Sequence, residues 1–116
     1  MNFVQIAPVE RLPNLLQDSG GHGYPNLMVN LLRYHCPHCG EHTVFSVADS
    51  ESSPIPEELR PQFDALTPKR SAYEQGVSDF LCGTCSNPVR VVYRIDEFHM
   101  ASYHYFAEVV IEMATG

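Results

Sequence analysis

The sequence predicts an α+β fold, mostly β, organised as an antiparallel sheet of about five strands. Three observations lead there. Runs rich in β-branched and aromatic residues recur along the chain: "NFVQIAP", "LMVNLLRYH", "HTVFSVA", "VSDFL", "PVRVVYRI" and "SYHYFAEVVIEMA". Two of the junctions between such runs hold a Cys-x-x-Cys pair, so each pair sits where a hairpin turns. Helical composition is confined to "VERLPNLLQDSG", to "PEELRPQFDAL", where Pro61 allows only a short or kinked helix, and to the last run, whose Ala, Glu and Met a helix would also tolerate.

Taken in order, "NFVQIAP" reads as a strand that Pro8 ends, and "VERLPNLLQDSG" as one or two helical turns closed by Gly20 and Gly21. With the loop that follows, residues 1–26 form an N-terminal strand, short helix and loop. Strands then enter and leave Cys36-Pro37-His38-Cys39-Gly40. Residues 48–76 form an acidic, partly helical insertion, and a second strand pair flanks Cys82-Gly83-Thr84-Cys85. On its exit strand Val89, Val91, Tyr93 and Ile95 share one face, with Arg90, Val92 and Arg94 on the other. The last run alternates throughout: Tyr103, Tyr105, Ala107, Val109, Ile111 and Met113 oppose Ser102, His104, Phe106, Glu108, Val110 and Glu112. This favours a strand paired antiparallel with 89–95. At 116 residues, 44% of them hydrophobic, the chain predicts a single domain with one core.

All four cysteines fall in the two pairs. Two cysteines separated by two residues aim their sulfurs into one tetrahedral site, and the turn directs backbone N–H groups at the thiolates. Soft thiolates select Zn²⁺ over Mg²⁺ or Ca²⁺, and four of them close the site, leaving no position for a catalytic water. An iron site on the same thiolates, disulfides, and a redox Cys-x-x-Cys are the competing chemistries. A redox pair needs a helix start to lower the thiol pKa, and "CPHCGEHTVF" turns into a β pattern instead. His35, His38 and His42 crowd the first pair, as hydrogen-bond donors to sulfur or as substitute ligands.

This order of strands and cysteine turns resembles the zinc-ribbon group of folds, in which two such turns face each other. The resemblance covers roughly residues 34–47 and 78–95, and implies one structural Zn²⁺ held by Cys36, Cys39, Cys82 and Cys85. Zinc pairs of this type are separated by roughly 15–20 residues, whereas 42 residues lie between Cys39 and Cys82 here. The chain is therefore expected to be one zinc-ribbon-like domain, 1–116, with a long acidic insertion between the knuckles.

The formal charge is −7, and residues 41–79 carry −5 of it. There is one Lys. Nucleic-acid binding draws its affinity from Lys and Arg neutralising phosphates, so a nucleic-acid partner is disfavoured and a basic protein partner favoured. Glu51, Glu57, Glu58, Asp64 and Glu74 are the candidate partner-binding carboxylates. The expected function is a non-enzymatic, zinc-stabilised acidic protein-binding module. Small acidic chains of this kind resemble immunity or antitoxin proteins that neutralise a basic toxin such as a nuclease. A nucleic-acid-binding ribbon or transcription-related accessory protein, using Arg33, Arg90 and Arg94, is the alternative; a rubredoxin-like iron redox protein is the second. No apolar run is long enough to span a bilayer, and the N-terminus has no secretory pattern. The expectation is a cytoplasmic monomer or weak dimer.

Overall fold

The structure, a computed structural model, describes residues 2–7, 9–18, 31–46, 54–69, 75–99 and 102–115. Among the described residues seven strands form two antiparallel sheets instead of one. The larger sheet contains β1 (Asn2–Ile6), β5 (Gln75–Leu81), β6 (Pro88–His99) and β7 (Ser102–Thr115), in the order β1-β7-β6-β5. The smaller contains β2 (Leu16–Asp18), β3 (Leu31–His35) and β4 (His42–Ser46), in the order β2-β3-β4. The sheet divides because each cysteine pair turns its own hairpin, β3–β4 and β5–β6, and the two turns approach each other from separate sheets.

The expected one or two helical turns are present at the N-terminus, but they end before Leu16 and not at the glycines. A 3-10 turn over Val9–Arg11 leads into α1 (Leu12–Leu15), and the chain then extends into β2, with Leu16 opposite Tyr34. Leu12, Leu15 and Leu16 are all buried, so burial of three leucines against β3 overrides the local helical preference. Gly20 and Gly21 lie outside the described residues. In the second helical stretch Pro61 occupies the first turn of α2 (Arg60–Leu66), where its missing N–H leaves no partner unsatisfied. The preceding Glu57–Leu59 is a 3-10 turn.

The last strand is a strand, antiparallel to β6, but its alternation is broken. Val92 faces Val109 while Tyr93 faces Ala107, so Glu108 is an extra residue in the ladder. A bulge reverses the faces beyond it. Ala107 and Val110 therefore share one core, and Val109 and Ile111 the other. In β6 the expected alternation persists, with Val89, Val91 and Tyr93 in the first core and Val92 in the second. The side chain of Ile95 and those of Tyr103 and Tyr105 lie outside the described set.

Both faces of the larger sheet are thus covered. One packs on the smaller sheet through Tyr34, Phe45, Phe80, Val91 and Val110. The Tyr34 and Phe80 rings meet edge-on at 5.5 Å, and Phe45 stacks on Phe80 at 4.5 Å. The other face packs on α2 and its approach, where Ile55, Phe63, Val92 and Ile111 are buried. The long insertion is therefore partly a third layer over the sheet. Arg90 fastens it: its guanidinium donates to Asp79 on the neighbouring strand at 2.7 and 2.9 Å, and to Asp64 and Thr67 beside it at 2.6 and 3.0 Å. Gly76 is required by close approach, because a Cβ there would fall 2.3 Å from the ring of Tyr93, its cross-strand neighbour.

Candidate metal centre

The two cysteine turns share one backbone pattern. In the first, Gly40 N–H donates to Cys36 O at 2.9 Å and Cys36 N–H to Glu41 O at 3.0 Å. In the second, Ser86 N–H donates to Cys82 O at 2.9 Å and Cys82 N–H to Asn87 O at 2.9 Å. The residue after each second cysteine is left-handed, Gly40 at φ 77° and Ser86 at φ 61°. The backbone N–H groups of His38 and Cys39 bond the Cys36 sulfur, and those of Thr84 and Cys85 bond the Cys82 sulfur. Each first cysteine thus sits in a small cradle of donors that favours its thiolate.

The left-handed position costs a non-glycine residue about 1–2 kcal/mol, of which glycine's greater chain entropy returns about 0.5–1. Ser86→Gly is therefore expected to stabilise the domain by about 0.5–1 kcal/mol, and Gly40→Ala to destabilise it by about 1 kcal/mol. A Cβ at Gly40 meets nothing within 4 Å, so conformation alone is tested there. Urea midpoints at unchanged slope measure both; equal midpoints for all three proteins would remove the strain argument.

The turns meet so that all four Sγ atoms lie within 4.8 Å of one another. Cys36 Sγ is 3.6 Å from Cys85 Sγ, and Cys39 Sγ is 3.5 Å from Cys82 Sγ. A tetrahedron with Zn–S bonds of about 2.3 Å has an edge of about 3.8 Å, so these spacings suit a tetrahedral ion. Cys36 and Cys82 are buried, Cys39 half-buried and Cys85 exposed. The donor set is all sulfur, closed, and compatible with zinc.

The metal-free thiols share protons unevenly. Burial pushes Cys36 up to about 12, against the pull of the Cys39 and His38 N–H groups. Burial also opposes ionisation at Cys82, but the N–H groups of Cys85 and Thr84 and the thiols of Cys39 and Cys85 outweigh it, and its pKa falls to about 6. Burial raises Cys85.

Residues outside the cysteines hold the turns together. Thr43 Oγ1 accepts from Gly83 N–H at 2.9 Å, joining the two turns directly. Met113 O on β7 accepts from His38 Nε2 at 2.9 Å and from Asn87 Nδ2 at 3.2 Å, one contact from each turn. Next to it the Tyr34 hydroxyl donates to Glu112 Oε2 at 2.6 Å in full burial, and Arg11 lies 3.5 Å from the other carboxylate oxygen. Desolvation, then the Glu112 contact, raises the Tyr34 pKa, so the phenol stays protonated and donating. Neither Tyr34 nor Glu112 was singled out in the sequence: strand alternation ahead of Cys36 is the signal that places Tyr34 inward, whereas Glu112 carried no local signal, since only the bulge at Glu108 turns it inward.

The histidines separate. Strand alternation sends Tyr34 and Cys36 inward and His35 to the opposite face, where its ring packs 3.9 Å from that of His42. Burial, then His42, then Arg33 hold His35 below the ordinary histidine pKa. Among the described residues the metal-ligand cluster contains cysteines only. Of the candidate acids, Glu57 and Glu58 are exposed, and Asp64 is exposed but bonded to Arg90; Glu51 and Glu74 lie outside the described residues. Of the three arginines, Arg90 is buried in its ion pairs and Arg94 lies 3.9 Å from Glu108. Among the described residues no helix is long and apolar enough to cross a membrane. No family of known proteins, no curated protein and no solved structure gives a match to this chain.

Proposed function

We propose that this protein is a non-enzymatic, zinc-ribbon-like module in which one Zn²⁺ staples two sheets together and an acidic face docks a basic protein, as an immunity or antitoxin-like inhibitor does. The convergence of four thiol sulfurs within 4.8 Å carries the structural half of this reading, because four sulfur ligands leave a tetrahedral ion no open position for substrate or water. The net charge of −7 and the exposed Glu57 and Glu58 ahead of α2 support the docking half. Arg90, being spent on Asp79 and Asp64, offers a phosphate nothing, which weighs against the nucleic-acid alternative.

Purified protein is expected to be colourless with one zinc per chain; a coloured, iron-containing protein would redirect the reading to electron transfer. A basic partner captured from the native host should bind the Glu57→Lys/Glu58→Lys variant about tenfold more weakly, with a shallower salt dependence. Equal affinity and equal salt dependence would remove the acidic surface from the function.

A further inference from the structure

We infer that His35 and His42 form a second metal site, a cross-strand clamp for a borderline divalent cation such as Ni²⁺ or Zn²⁺, separate from the cysteine cluster. The inference comes from the register of the β3–β4 hairpin. His35 lies directly opposite His42. The next pair, Cys36 and Glu41, carries a backbone hydrogen bond of 3.0 Å. Pairs alternate along an antiparallel ladder, so His35 and His42 occupy a non-hydrogen-bonded position. There the Cα atoms stand about 4.5 Å apart and the side chains approach most closely.

The two imidazoles accordingly reach one surface position, with ring centroids 3.9 Å apart and planes inclined by 41°. His42 is exposed and His35 half-buried, so water can complete the coordination of an ion held between them. The hairpin cannot splay at this end, because the cysteine turn begins at the very next residue and is tied down by its own hydrogen bonds. Two imidazole rings are therefore held side by side before any ion arrives. Imidazole nitrogen suits Ni²⁺, Cu²⁺ and Zn²⁺.

The clamp is distinct from the thiolate cluster by face. Cys36 points into the core between the sheets, whereas His35, one residue earlier, points to the opposite side of the strand. Arg33, two residues from His35 on its outer face, opposes a cation by like charge. The site is thus a labile nitrogen clamp beside a closed sulfur site, and it stands whether or not the acidic face binds a partner.

The test uses the full chain loaded with one equivalent of zinc, titrated with Ni²⁺ while zinc release is followed with a coloured chelator. The expected result is one further equivalent of bound nickel, no zinc released, and paramagnetic broadening of the His35 and His42 ring signals. His35→Gln and His42→Gln, each checked for unchanged zinc content and melting, should each weaken nickel binding about 100-fold, the loss of one arm of a two-point attachment. Nickel affinity unchanged in both variants, displacement of zinc by nickel, or no second equivalent would each overturn the assignment.

Discussion

Cys36→Ser and Cys82→Ser are each expected to abolish the cooperative melting of the whole domain, and a strong chelator to do the same to the wild-type protein. The two sulfurs are the most buried of the four, and each belongs to a different sheet's hairpin. The cluster closes a loop of 42 residues between Cys39 and Cys82, and cross-linking a loop of that size removes substantial entropy from the unfolded chain. Structural zinc sites have apparent binding free energies of about 10–16 kcal/mol in small peptides, against total domain stabilities of about 5–15 kcal/mol. Metal binding is therefore large enough to account for the entire stability. Calorimetry with and without chelator measures it; a serine variant that melted as the untreated wild type, or a wild type whose melting chelator left unchanged, would show that the cluster does not hold the fold.

Arg90→Met is expected to destabilise the domain by about 3–5 kcal/mol, because removing one partner of a buried ion pair strands the other charge. The group that loses its two-pronged partner is Asp79, whose side chain is 5% exposed, while Asp64 at 66% can turn to water. The double variant Asp79→Leu/Arg90→Met should recover most of the loss, since an apolar pair of similar volume is often neutral or better. Urea unfolding of the three proteins settles the matter. A loss below about 1 kcal/mol in Arg90→Met would mean that the network contributes little beyond a surface pair.

These two sites differ in how they could be foreseen. The cysteine cluster was legible because its spacing is local: a Cys-x-x-Cys turn positions two sulfurs from within five residues, and two such turns in one chain have few other ways to be satisfied. The Arg90 network was not, because the strand pattern placed Arg90 on a face with Val92 and Arg94 and gave no sign of what covers that face. It became buried only when α2, drawn from the acidic insertion, covered that face of the sheet. The same event took Asp64 from the free acidic surface and tied it to the sheet. The insertion's charge was visible in sequence; its packing through Phe63 and Ile55 depends on a sheet formed by residues far along the chain.

By itself the sequence determined the mostly-β class, the hairpin location of each cysteine turn and the four converging sulfurs, and it favoured a strand over a helix for the last segment. Each of these rests on short-range periodicity or turn chemistry, which a few neighbouring residues decide. Tertiary structure alone decided that there are two sheets, that Leu16–Asp18 leave the helix to pair with β3, and that the bulge at Glu108 turns Glu112 inward to Tyr34. These depend on which strand lies beside which, and a single inserted residue in a ladder exchanges the faces of everything beyond it.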